Sequence, residues 1–257
     1  MKKFWEFKAL ADENAGELSI YGDIVSYKWD DSDTTAQSFK DDLEALGDID
    51  TLNIYINSPG GSVFQGNAIY SILKRYKAKV NIHVDGLAAS IASVIAMSGD
   101  TIFMPENAMM MIHNPWTFSY GNASELRKVA DDLDKMRESL IAAYLAKTGD
   151  KMDRETLIDL LDKETWLSAQ DCLNYGLCDV VEASNDVAAS VNMDFFAKYK
   201  HTPEELLEIA EKTPENKQKQ QEKEKEQAEM RQRLIEEAKS NIETTKLILG
   251  GLTNESI

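Results

Sequence analysis

Asn57-Ser58-Pro59-Gly60-Gly61-Ser62 closes an apolar alternating run and opens a helical one, and about thirty residues later Gly86-Leu87-Ala88-Ala89-Ser90-Ile91-Ala92 repeats the arrangement. A strand that turns directly into a helix, twice in succession, leaves the chain few ways to pack. Each helix has to cross back over the sheet before the next strand can pair, which makes the strands parallel neighbours in βαβ units. In such sheets, ligands collect beyond the carboxyl ends of the strands, where both turns lie.

The surrounding pattern extends the same plan. Phe4 to Leu10 and Glu17 to Val25 read as two strands around the Asp12-Glu13-Asn14-Ala15-Gly16 turn, and a helix is expected from Thr35 to Leu46. Leu52 to Ile56 alternates at period two. Ser62 and Gln65 stand at capping-box spacing and start a helix that runs to about Tyr76. Strand Val80 to Val84, a helix from near Ser90, and strands Thr101 to Met104 and Met109 to His113 follow. From Ser124 to Lys147, Leu126, Val129, Leu133, Met136, Leu140 and Tyr144 recur every three or four residues, the mark of a long amphipathic helix ended by Gly149. A helix over Asp153 to Asp162 comes next. The run Trp166-Leu167-Ser168-Ala169 then leads into a small helix closed by Gly176, and Asp179-Val180-Val181 forms a last strand.

Past about Ala197 the composition changes, and the boundary is placed at Tyr199. Residues 1–199 are expected to form the folded domain and residues 200–257 a charged helical or disordered tail. Thr202-Pro203-Glu204-Glu205 caps a helix, while the Lys217 to Gln227 run and the thin stripe Leu234, Ile235, Ala238 and Ile242 cannot build a core.

A formal net charge of −17 repels phosphate backbones and anionic lipid, so nucleic-acid and membrane partners are not expected. The chain has no window of eighteen apolar residues, and its first residues lack the apolar run of a signal peptide, which leads to a cytoplasmic expectation. Cys172 and Cys178 have neither disulfide-framework numbers nor metal-ligand spacing to a histidine, so both are read as reduced packing residues. The reading calls for no cofactor and no metal.

Ser90 has a turn suited to a nucleophile, because Ala88 and Ala92 are small enough for the tight strand-to-helix bend. Its base has to come from three histidines. His201 belongs to the tail, and His83 alternates along a strand as a sheet residue. His113 ends an apolar strand where Asn114-Pro115 breaks the chain, and is the candidate. Gly60 and Gly61 let backbone N–H groups approach a substrate. The turn lacks the Gly-Lys-Ser/Thr ending of a phosphate-binding Walker loop. Backbone donors, a nucleophile and a base are the parts of acyl transfer.

With these residues assembled, the chain resembles the proteolytic subunit of the Clp protease, within the wider fold shared with crotonases. The resemblance covers roughly Glu17 to Glu182. It rests on Asn57-Ser58-Pro59-Gly60-Gly61, Gly86-Leu87-Ala88-Ala89-Ser90, Met111-Ile112-His113-Asn114-Pro115, Trp166-Leu167-Ser168-Ala169 and Tyr175-Gly176-Leu177-Cys178-Asp179. It implies an α/β, Clp protease/crotonase-like fold of repeated βαβ units with a long handle-like helix. It also implies a homo-oligomeric ring and a serine endopeptidase acting on polypeptide. By the same resemblance Ser90 is the nucleophile, His113 the base, and Gly60 and Ile91 the oxyanion-hole donors. Glu164 stands where the family usually has its triad aspartate, with Asp162 as the alternative. The N-terminal residues do not resemble the family's axial segment, so an ATPase partner is not implied. An altered N-terminus with an extra C-terminal region resembles phage-encoded relatives associated with head maturation, which would make a capsid or scaffold protein the substrate. Two other uses of the fold remain open: a crotonase-type acyl-CoA enzyme, and a ring-forming scaffold whose triad is vestigial.

Overall fold

The computed structural model describes residues 3–10, 14–26, 34–184, 199, 201–204 and 230–233. In chain order its elements are β1 (Trp5–Leu10), β2 (Ala15–Tyr21), α1 (Ala36–Glu44), β3 (Thr51–Ser58), α2 (Val63–Lys74), β4 (Lys79–Ala89), α3 (Ile91–Ala96), β5 (Thr101–Pro105), β6 (Met109–Ile112), α4 (Ala123–Thr148), α5 (Arg154–Asp162), β7 (Thr165–Ser168), α6 (Ala169–Tyr175) and β8 (Val180–Glu182). The chain divides into two compact units, Met1–Ala210 and Glu211–Ile257. Of the second, Met230–Arg233 alone is described, as helix. The expected tail therefore lies largely outside the described residues.

β2, β3, β4, β5 and β8 lie side by side and parallel, as the two strand-to-helix turns require, and β1 closes the edge antiparallel to β2. Leu18, Ile20, Leu52, Ile54, Ile56, Val80, Ile82, Val84, Ile102 and Met104 point to one face and are buried with apolar residues of all six helices. Each such side chain contributes about 1.5–3 kcal/mol by leaving water. On the other face Tyr55, His83 and Phe103 are paired across three strands. The His83 ring stacks between them, with centroids 5.0 Å and 4.8 Å away. Burial lowers its pKa below the usual 6.5.

Caps fix the helix starts. Thr35 accepts from Ser38 N–H, Ser62 from Gln65 N–H, and Asn122 from Ser124 and Glu125 N–H, each filling donors that the first turn leaves unpaired. α4 is 26 residues long and only its C-terminal half is buried, through Leu140, Ile141, Ala143 and Tyr144. In its N-terminal half Leu126 is exposed and Val129, Leu133 and Met136 are half-buried.

The sheet departs from the sequence reading in two places. β4 continues to Ala89 rather than stopping at Val84 and serves two ladders, pairing β5 over Asn81 to His83 and β6 over Leu87 to Ala89. A register shift against β3, between Ile56 and Ser58, accompanies the change of partner. Thr165–Ser168, expected as a lead-in to a helix, is a strand antiparallel to β6. Four residues are too few to display a period, and their partner lies more than fifty residues away.

Candidate active site

Three strand ends converge. Ala89, the last residue of β4, pairs with Met111, while Ile112, the last of β6, pairs with Thr165, the first of β7. Ser90, His113 and Glu164 are the next residues along these ladders, so register alone brings them to one edge.

Ser90 takes φ 55 and ψ −128, a left-handed conformation unusual outside glycine. Its N–H donates to Met111 O at 2.8 Å, and its carbonyl accepts from Ser93 Oγ at 2.5 Å. Ser93 is in turn bonded to the buried Tyr144 hydroxyl at 2.6 Å. The tight turn projects Ser90 Oγ to 2.8 Å from His113 Nε2. Ser93 thus serves the turn as a packing and capping residue.

His113 is 8% exposed. Burial lowers its pKa below the usual 6.5, while the adjacent Glu164 pulls the other way, favouring the protonated ring. Burial dominates, so the imidazole is neutral near pH 7 and able to accept a proton. Glu164 Oε2 lies 3.7 Å from His113 Nδ1, a separation for charge attraction rather than a formed hydrogen bond. Asp162, the alternative acid, faces elsewhere: its Oδ1 accepts from Asn114 Nδ2 at 2.7 Å and from Arg137 at 2.8 Å. Of the two candidate carboxylates, Glu164 is the one beside His113.

The glycine turn closes the other side. A Cβ on Gly60 would come within 2.7 Å of Ala89 O and of Ser90 Cβ, so the close approach of the two turns requires glycine there. The Gly60 N–H, expected as an oxyanion donor, is instead committed to Ser58 Oγ at 3.1 Å. No described residue accepts from the next N–H, that of Gly61. Ile91 opens α3, where a helical N–H has no partner four residues back.

A cavity of about 140 Å³ lies over Ser90 and His113, walled by Val63, Pro115, Trp116 and Tyr199. Tyr199 donates its hydroxyl to the Pro59 carbonyl and sets its ring edge-on to His113 and Trp166. His201 N–H donates to Glu164 Oε1 at 2.8 Å. His201, expected in the tail, and Tyr199, at the expected domain end, both reach the site. Contacts made over such separations leave no periodic signal. Among the described residues, no group of three or more His, Cys, Asp or Glu could hold a metal ion, and no helix is long and apolar enough to cross a membrane. A family model described as Clp protease matches residues 23–185, more than half of the chain.

Proposed function

The chain belongs to the Clp protease family of peptidases, and from that premise we propose that it is a serine endopeptidase working through Ser90, His113 and Glu164. Ser90 Oγ attacks the scissile carbonyl carbon as His113 Nε2 takes the hydroxyl proton. The tetrahedral oxyanion is received by Ile91 N–H and, of the two glycines, by Gly61 N–H. His113 then delivers its proton to the leaving amine as the C–N bond breaks. Water repeats the sequence on the acyl-enzyme and frees the serine. Glu164 keeps the imidazole oriented and offsets the positive charge it acquires.

The 2.8 Å contact between Ser90 Oγ and His113 Nε2 carries the reading, because a nucleophile and base in that relation have no role in a crotonase-type use of the fold. The mainly apolar walls of the cavity favour unfolded polypeptide as substrate. The half-exposed apolar stripe on α4 supports assembly into a homo-oligomeric ring. By analogy of layout alone, with a charged region beyond residue 185, the biological role proposed is phage-type head maturation with a capsid or scaffold protein as substrate.

A fluorophosphonate probe tests the chemistry. It should label Ser90 in the full-length protein, with loss of both label and peptide hydrolysis in Ser90→Ala. Wild-type hydrolysis by Ser90→Ala would overturn the assignment. Peptide mapping of capsid and scaffold proteins after incubation with the enzyme tests the biological substrate.

A further inference from the structure

We infer that the main-chain N–H of His201 is the second anchor of the Glu164 carboxylate, so that a segment beyond the family-matched residues positions the acid of the triad. The inference rests on the serine peptidase reading above. Glu164 has two oxygens with different partners: Oε2 faces His113 Nδ1 at 3.7 Å, and Oε1 accepts from His201 N–H at 2.8 Å. Glutamate carries one rotatable bond more than aspartate, and a carboxylate on the longer stem sweeps a larger volume unless something outside the triad ties it down. A main-chain amide is a suitable tie, being a fixed donor that does not titrate, and partners of this kind hold the orienting groups of other sites.

The anchor is itself held. Two residues earlier, the Tyr199 hydroxyl donates to the Pro59 carbonyl, and its ring meets those of His113 and Trp166 at centroid distances of 5.6 Å and 5.5 Å. Burial is the main cause that pushes the Tyr199 phenol pKa up, so the hydroxyl stays protonated and keeps donating. The His201 imidazole is not the tie. Its side chain is 66% exposed and its Nδ1 lies 3.8 Å from Glu164 Oε1.

Proline has no N–H, and alanine keeps it. In the full-length protein, kcat for peptide hydrolysis should be roughly 10- to 100-fold lower in His201→Pro than in His201→Ala, with KM alike in the two. Equal kcat values would overturn the inference, as would a loss confined to KM. The same pair in a Glu164→Ala background, which has no side-chain oxygen left to accept from the amide, separates a specific tie from a general disturbance by proline. If the amide acts through the carboxylate, the difference between Pro and Ala should largely disappear there. A difference as large as in the parent would show another route and sink the idea. Fluorophosphonate labelling keeps the two levels apart: loss of Ser90 labelling in the unmutated enzyme counts against the peptidase reading, whereas normal labelling with indistinguishable His201 variants counts against the anchor alone.

Discussion

Ser90 and Glu164 are two of the three non-glycine residues with positive φ among the described residues, at 55° and 50°. Such conformations cost on the order of 1–3 kcal/mol, and they gather where a side chain is needed more than a relaxed backbone. Glu164 occupies the position just past the end of α5, where glycine commonly ends a helix. Replacing either residue by glycine should therefore leave the protein about 1 kcal/mol more stable than replacing it by alanine, with activity gone from both Ser90 variants. Equilibrium denaturation of the four variants measures this, and equal stabilities would mean that neither backbone is strained. The base titrates in a predictable direction. Because burial lowers the His113 pKa, the acidic limb of kcat/KM should fall below pH 6.5. Glu164→Gln removes a charge that favours the protonated ring, so it should move that limb lower still while reducing kcat by on the order of 10⁴. Asp162→Asn, which touches Asn114 and Arg137 instead, should shift neither strongly.

At the scale of elements, what could be read in advance followed the length of the signal. α4 showed itself through six apolar residues at helical spacing, and β3 through clean alternation that the structure repeats as alternate burial from Leu52 to Ser58. The turn at Ser90 and the strand end at His113 were legible because each sits at the edge of such a run. β7 was not, since four residues carry no period and its meaning comes from a partner distant in sequence. The commitment of Gly60 N–H to Ser58 Oγ was equally hidden, because choosing between two adjacent glycine donors takes three-dimensional geometry. α4 also shows where a correct pattern found only half its burial: Val129, Leu133 and Met136 stay half-buried although the stripe is continuous. If a second copy covers them, Leu133→Asp should reduce the oligomer seen by light scattering and leave the unfolding of the isolated subunit little changed. An unaltered mass distribution would remove α4 from the assembly interface.

For the whole molecule, the first compact unit ends at Ala210 and holds both Tyr199 and His201. A chain ending at Ala210 should consequently hydrolyse a short peptide as the full chain does. If the charged residues of the second unit recruit a large protein substrate, activity on such a substrate should be lost, and salt should weaken the recruitment in the full chain because exposed charges are screened over roughly 8–10 Å. Equal loss on both substrates would place the second unit within the catalytic fold. The β6–β7 ladder bears on a different matter, the order in which the enzyme comes into being. Synthesis delivers Ser90 and His113 well before Glu164, and α4 and α5 are translated in between. A nascent chain halted near residue 160 carries Ser90 and His113 without the strand that sets Glu164 beside them. It should stay silent toward peptide, whereas chains released past Ala210, with Tyr199 and His201 in place, should react. On that outcome translation order would act as a timer, and a peptidase made among other emerging polypeptides would gain a period of harmlessness from its topology alone.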